Sequence, residues 1–459
     1  MIQLTNTLTR KKEDFNPIKK GEVGIYSCGP TVYGTPHIGN WRSFIYSDVI
    51  RRVFELNGFK VNQVMNITDV GHLVGDGDDG EDKMITAMRR EGKTAYEIAD
   101  MYTSEFLRDM KRLNIKTPDE MPKATEHIAE QIEMIQELEK KGYTYKTSDG
   151  IYFDTAKLDS YGRLGGQSLE EKEAGARVEV NPEKRQATDF ALWKFSPKDQ
   201  KRDMEWKSPW GTGFPGWHIE CSAMSEKYLG APFDIHTGGI DHIPVHHENE
   251  IAQTLGARGS HLANYWLHNA FLNVDGGKMS KSLGNVYTIQ DLIDKGIDPL
   301  ALRYFTFSAR FNTPLNFTWK SLAAAQNALN NLRSIVRNWD RATNVDQEAL
   351  DAFTARLNDD LDLPGALAKL WTVVKDEHTE PGMKSATVLA FDAVLGLNLD
   401  KYVAEPLDVP LVVRELVEQR EEARKKKDWT EADRLRVAIE AEGFTIDDSD
   451  EGVSIRERH

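Results

Sequence analysis

Residues 24–33 read GIYSCGPTVY, residues 37–59 read HIGNWRSFIYSDVIRRVFELNGF, and residues 60–69 read KVNQVMNITD. The first stretch is a short apolar run ending in a Gly-Pro turn, the pattern of a buried strand. In the second, Ile45, Val49, Val53 and Leu56 recur at spacings of four, four and three. That spacing lines one face of a helix, and Gly58 can end it. The third stretch, rich in Val, Ile and Thr, reads as another strand. Strand, helix, strand in so short a span is a βαβ unit, so the expected fold class is α/β with a parallel, doubly wound sheet.

Outward from this unit the pattern changes. Residues 94–141 are mostly helix formers, whereas residues 143–200 hold many turns and short strands (GIYFDT, GARVEV). Sheet-like patterning returns at residues 233–239 and 269–274, and residues 318–400 turn helical again. After the loop AEPLDVP at 404–410 a separate small unit begins. The expected organisation is a first sheet half at 1–125, an insertion at 126–200 and a second half at 201–270. A loop region at 271–317, a helical bundle at 318–400 and a small C-terminal domain at 401–459 follow.

The chain has 459 residues, 58 Lys+Arg against 73 Asp+Glu, and a formal net charge of −15. This excludes a generally basic nucleic-acid coat but leaves room for a local basic surface. Cys28 and Cys221 are the only cysteines. Two in so long a chain exclude a disulfide framework and point to a reducing compartment. Two readings stay open: inert buried thiols, or two sulfur ligands brought together by the fold. No segment has the apolar run of a signal peptide or a membrane span, so a cytoplasmic protein without membrane contact is expected.

Three groups of residues carry chemistry. Pro36-His37-Ile38-Gly39-Asn40 lies at a strand-to-helix junction, where free amides attract anions and Gly39 admits a phosphate close to the backbone. Residues 275–282, DGGKMSKS, place Lys278 and Lys281 three apart behind two glycines, a cationic loop suited to clamping a polyphosphate. A solvated lysine-rich turn is the plain alternative. Thirdly, GWHIECS (216–222) carries Cys221, and PVHHENE (244–250) sets His246 and Glu250 at i and i+4 on one helical face. With Cys28 they offer S, S, N and O donors, a sensible Zn²⁺ set. A solvated helix face is the alternative, since no Cys-x-x-Cys pair anchors a site.

The first two groups, in this order and flanking a Rossmann-like pattern, resemble the paired ATP signatures of class I aminoacyl-tRNA synthetases. The usual first signature ends in His, where this chain has Asn40. GWHIECSAM (216–224), HHENEIAQ (246–253), NVDGGKMSKSLGN (273–285) and ALRYF (301–305) resemble cysteinyl-tRNA synthetase. So do YGRLGGQ (161–167), AGARVEV (174–180) and DFALWK (189–194), and the similarity covers nearly the whole chain.

The resemblance implies one zinc ion held by Cys28, Cys221, His246 and Glu250; whether His246 or His247 meets it rests on the family register. It implies Gly29, Thr68 and Trp217 around the substrate amino acid. Around Mg²⁺-bound ATP it implies Pro30, His37, Gly39, Asn40, His236, Gly238, Gly239, Asp241, Lys278 and Lys281, with His37, Asn40, Lys278 and Lys281 stabilising the transferring phosphates. Thr237 stands where the family has a glycine. Residues 271–317 become a signature loop with a stem-contact region, the bundle binds tRNA, and the C-terminal domain reads the anticodon.

In that last domain Arg424 and Lys425 suit RNA backbone contacts and Trp429 suits base stacking. Ile455 stands where a Trp is common. The acidic, glycine-rich residues 76–81 resemble a calcium loop only superficially, because position 12 counted from Asp76 falls on Ala87. A solvated loop is expected.

The function implied is ATP-dependent ligation of L-cysteine to tRNA(Cys) through a cysteinyl adenylate, by a monomer. A serine differs from cysteine by one atom, and an apolar pocket separates such analogues by only about 1–3 kcal/mol. A metal that prefers sulfur supplies the missing discrimination. Two rivals remain: a cysteine ligase acting on an amino sugar in the mycothiol pathway, and a non-catalytic zinc- and RNA-binding paralogue. Residues 318–459 argue against the first, and the intact ATP signatures against the second.

Overall fold

Four parallel strands form the central sheet, in the order Ala263–Asn269, Phe233–Gly239, Glu22–Ser27, Lys60–Met65. The computed structural model that shows this describes residues 1–71, 83–166, 181–197, 202–277, 279, 284–449 and 452–457. The first strand ends at Ser27, before the Gly-Pro turn, because the backbone there runs hard against the end of its neighbour. A Cβ on Gly29 would lie 1.7 Å from the carbonyl oxygen of Asn66. Helix Ile38–Leu56 crosses from this strand to Lys60–Met65 and buries Ile45, Val49 and Val53 completely. Glu22–Ser27 thus has the next strand of the chain, Lys60–Met65, on one side and a much later strand, Phe233–Gly239, on the other. That change of winding opens a crevice at the carboxyl ends of the strands, where α/β sheets bind ligands.

Between the two sheet halves come helices Ala95–Arg112 and Ile128–Lys140 and a five-stranded antiparallel sheet. Two strands of that sheet, Trp206–Ser208 and Gly211–Pro215, lie beyond residue 200. Their short sequences carry little strand signal; pairing of Gly211–Pro215 with Phe190–Phe195, and of Trp206–Ser208 with Gly211–Pro215, supplies the order. The segments at 76–81 and 174–180 lie outside the described residues.

After the sheet come helices Pro299–Thr306, Trp319–Arg337, Gln347–Asn358, Leu363–Lys375 and Pro381–Leu395. One apolar cluster runs unbroken from Ile25 and Ile45 through Leu302 to Leu329 and Phe391. At the joint, the fully buried Arg303 donates to Asp48 Oδ2 (2.6 Å) and to the carbonyls of Leu395, Leu113 and Asn114. One side chain therefore ties the ends of two helices to the middle of a third.

The C-terminal unit has helices Leu411–Lys425 and Trp429–Ala441 and a hairpin of Phe444–Ser449 with Gly452–Glu457. It has its own small core around Val413, Ile439, Phe444 and Ile446, and Ile455 packs into it. Among the described residues no helix is long and apolar enough to cross a membrane.

Candidate active site at the carboxyl ends of the sheet

Cys28 follows strand Glu22–Ser27, Cys221 lies on helix Trp217–Leu229, and His246 and Glu250 lie on helix His246–Arg258. Their donor atoms all fall within 4.8 Å of one another. Helical spacing brings His246 Nε2 to 3.1 Å from Glu250 Oε1. Cys28 Sγ stands 3.2 Å from His247 Nε2, and His236 Nε2 stands 2.8 Å from Glu250 Oε2. A second donor set, Cys28, His236, His247 and Glu250, therefore shares two members with the first. Both adjacent histidines reach the cluster, the alternative that helical spacing alone left open.

The cluster is an electrostatic unit. Hydrogen bonding with Cys28 outweighs burial and draws the Cys221 thiol down to about 6, with His246 adding to the effect. Burial and the neighbouring Cys221 push the Cys28 thiol well up, so a single negative charge is shared between the two sulfurs. Burial opposes ionisation of Glu250, yet His236 and His246 hold its carboxyl down at about 2. Burial likewise disfavours charge on His246, but Glu250 and Cys221 raise it to about 10. Glu250 Oε1 is buried and accepts no hydrogen bond of good geometry. Two sulfurs, an imidazole nitrogen and a carboxylate oxygen that converge with an unsatisfied lone pair fit a tetrahedral zinc ion. Outer partners orient the rings: His218 Nδ1 lies 2.9 Å from His246 Nδ1, and His268 Nε2 lies 2.7 Å from His247 Nδ1.

Around the cluster, Asn66 holds the turn together. It accepts from Gly29 N (2.8 Å) and donates to Thr68 Oγ1 (2.8 Å), so Gly29 and Thr68 are placed by a residue the sequence reading passed over. Trp217 packs its ring 5.1 Å from that of His246, and the Lys83 ammonium lies 5.3 Å from the indole.

The first ATP signature caps its own helix: Asn40 N donates to His37 Nδ1 (3.2 Å), and His37 N donates to Asn40 Oδ1 (3.0 Å). Asn40 thus serves as the reciprocal partner of a capping box. The second signature lies against the first. The Met279 methyl would be 2.3 Å from a Cβ on Gly39, and Ile38 N donates to Tyr287 O (2.8 Å). Lys278 and Lys281 lie outside the described residues.

His236 is placed differently from the expectation that put it at the nucleotide. Its ring has no exposed surface, bonds Glu250 and stacks 4.5 Å from Trp266, so it belongs to the donor cluster. A strand residue two before Gly238 points into the core with Ile235 and Thr237 also buried, and no sequence signal distinguishes that from a pocket wall. Gly238 makes room for imidazoles, since a Cβ there would lie 2.6 Å from both His242 Nδ1 and His247 Cε1. Asp241 is exposed beside Gly239.

In the C-terminal unit, Arg424 donates to Asp448 Oδ2 (2.8 Å) and stacks 5.9 Å from Trp429. Lys425 is 73% exposed at its side chain, and Trp429 is 58% exposed.

Residues 14–327 match the model of the tRNA synthetases class I (C) catalytic domain, and residues 408–456 match the cysteinyl-tRNA ligase anticodon binding domain. The chain belongs to the cysteine–tRNA ligases. It is 52% identical to cysteine–tRNA ligase 1 of Burkholderia lata, over 98% of this chain and 96% of that one. The ligase of Treponema denticola is 41% identical, over 97% of this chain and 98% of that one. In fold the ligase resembles Mycobacterium tuberculosis methionyl-tRNA synthetase solved with methionyl-adenylate. The TM-score is 0.56 at 17% identity, covering 84% of this chain and 92% of that one. The charging of tRNA with an amino acid at the expense of ATP is the activity of this ligase family.

Proposed function

We propose that the ligase joins L-cysteine to tRNA(Cys) by way of a cysteinyl adenylate, and that a zinc ion on Cys28, Cys221, His246 and Glu250 selects the substrate thiol. The observation that carries this reading is the convergence of those four donors within 4.8 Å at the crevice of the sheet. When bound, zinc supplies a soft Lewis acid that prefers thiolate to hydroxyl.

The chain's own residues do the rest. Gly29 and Thr68, held by Asn66, with Trp217 beside them, border the amino acid. Pro30 continues that turn toward the nucleotide. At the signature helix, Ile38 N and Asn40 N are already bonded, which leaves Gly39 N for a phosphoryl oxygen. Because His37 Nδ1 accepts from Asn40 N, its proton sits on Nε2, where it can donate to a phosphate. Lys278 and Lys281 add charge to the same Mg²⁺-bound phosphates, Gly239 and Asp241 border the ribose, and the chain works as a monomer. The transfer needs positioning and charge, and no protein nucleophile.

The test is metal content alongside cysteine-dependent ATP–pyrophosphate exchange. One zinc per chain is expected, lost in Cys221→Ser together with about 100-fold or more of the exchange. Exchange that survives complete chelation, or that runs equally well with serine, would overturn the reading. An amino-sugar acceptor in place of tRNA would establish the mycothiol-type rival.

A further inference from the structure

Lys83 opens helix Lys83–Glu91, half-buried, with its ammonium 5.2 Å from the centre of the Tyr33 ring and 5.3 Å from that of Trp217. Both distances lie within the roughly 6 Å over which an aromatic face attracts a cation. Among the described residues the two rings are its only partners. The first turn of a helix disfavours a cation, because the backbone dipole is positive there, and this first turn holds no acidic residue to offset it. Local preference and placement disagree, and such conflicts gather where a side chain serves a site.

The two rings belong to the walls of that site. Tyr33 ends the turn that carries Gly29: Val32 N donates to Thr68 O (3.1 Å), and Thr68 N donates to Pro30 O (3.0 Å). Trp217 opens the helix of Cys221, and its ring lies 5.1 Å from that of His246. Helix Lys83–Glu91 is itself anchored, since Met84 and Ala87 are buried in the main core. It meets the turn a second time through Arg90, seven residues on and so on the same face. Arg90 Nη2 donates to Tyr33 O (3.5 Å) and to Tyr102 Oη (2.7 Å). One ammonium on a fixed helix therefore bridges two aromatic walls that come from different parts of the chain.

The four metal donors distinguish sulfur from oxygen. They do not distinguish cysteine from homocysteine, a thiol amino acid one methylene longer, because the sulfur is the same. Length has to be read by the walls, and Trp217 and Tyr33 are only half-buried, so their own packing does not fix them. We propose that Lys83 is a positioning residue that sets the length limit of the amino-acid pocket: its ammonium pins the Trp217 and Tyr33 rings and so excludes homocysteine. The inference rests on the ligase reading of the site and adds to it a determinant of specificity separate from the metal.

Lys83→Met keeps the stem and removes the charge. Cysteine- and homocysteine-dependent ATP–pyrophosphate exchange are compared in the full chain, with zinc content measured alongside. A formed pocket separates substrates one methylene apart by about 10–200-fold, so the kcat/KM ratio of cysteine to homocysteine should fall about tenfold in Lys83→Met. The fall comes through a higher KM for cysteine, while KM for ATP, the preference for cysteine over serine and the zinc stoichiometry stay at their wild-type values. Lys83→Arg, whose guanidinium also stacks on rings, restores the ratio. Trp217→Leu lowers the same ratio, and Lys83→Met added to it lowers it no further, as two members of one contact require. A ratio within about twofold of wild type in Lys83→Met at full zinc overturns the proposal. So does full additivity with Trp217→Leu, or a loss of zinc, which would make Lys83 a support of the metal instead. If the wild-type chain shows no cysteine-dependent exchange, the ligase reading itself fails; an unchanged ratio in a chain that does exchange removes only the role of Lys83.

Discussion

Arg42→Met tests whether a single buried cation holds the two ATP signatures in register. Arg42 sits five residues after His37 on the signature helix, and its side chain has no exposed surface. Among the described residues no carboxylate pairs with it; burial lowers its pKa to about 10. It donates to the carbonyls of Ala270 (2.9 Å), Phe271 (2.7 Å), Arg310 (3.3 Å), Phe311 (3.3 Å) and Thr313 (2.7 Å).

Those five acceptors are not equally dependent on it. Phe271, Arg310 and Phe311 each also accept a backbone amide, from Leu315, Thr313 and Ala270. Ala270 O keeps a side-chain bond from Asn269 Nδ2 at 3.3 Å. Among the described residues Thr313 O keeps nothing, but Thr313 is exposed and water can take its carbonyl, so that acceptor loses about 1 kcal/mol. The four shared acceptors each lose a charge-assisted bond, while the desolvation penalty of the cation disappears with it. Methionine fills the same channel, so little cavity term is added. The net expectation is about 2–4 kcal/mol off the first urea transition followed by tryptophan fluorescence. Because residues 270 and 271 lead directly into the second signature, ATP–pyrophosphate exchange should fall even where the protein is fully folded. Arg42→Lys should retain less than half of the lost stability, since an ammonium cannot span five acceptors. A methionine variant within about 0.5 kcal/mol of wild type and with undiminished exchange would show that the guanidinium is a passenger.

Three further outcomes follow from particular contacts. Gly29→Ala puts a methyl 1.7 Å from a backbone oxygen, which no rotamer relieves; about 3 kcal/mol of destabilisation and loss of exchange are expected, and a melt equal to wild type would contradict it. Asp48 accepts from Arg52, Arg303 and Lys116 N while buried, so Asp48→Ala strands two guanidinium groups and should cost about 3–5 kcal/mol, more than Asp48→Asn in the same urea titration. Arg420, bonded twice to Asp448, holds that carboxyl below the usual range, helped by Arg424 and Arg436. A depressed folded pKa gives stability that is full above the unfolded value of about 3.9 and lost as pH falls through the folded one. Hydrogen exchange in the Phe444–Ser449 strand should therefore quicken below about pH 4, and Asp448→Asn should flatten that dependence.

What could be read in advance had a period or a motif behind it. Ile45, Val49 and Val53 announce a buried helical face by spacing, and His246 and Glu250 share a face for the same reason. His236 misled because a single strand residue carries no mark of which way its ring turns once three histidines and Trp266 compete for the same space. Arg42 stayed hidden because its partners are backbone carbonyls more than 200 residues away, which side-chain identity does not encode. The strands beyond residue 200 were invisible for a related reason: GTGFP is ordered by its neighbour, not by its own propensity.

Glu248 lies between His246 and Glu250 on helix His246–Arg258, yet its carboxylate faces the other way. It accepts the amides of Gly162 (2.8 Å), Leu164 (2.9 Å) and Gly165 (3.1 Å), while Tyr161 Oη donates to Asn249 Oδ1 (2.6 Å). The turn YGRLGG (161–166) is thus a socket, and its glycines bare the amides that fill it. In engineering terms the insertion is a cassette whose apolar face shares one cluster with Ile219, Ala252 and Ala257 and whose turn adds a polar fastening: a graft from a relative works only if turn and carboxylate travel together. Loosening that fastening would be felt first at the donor cluster, because the same helix turn carries His246 and Glu250.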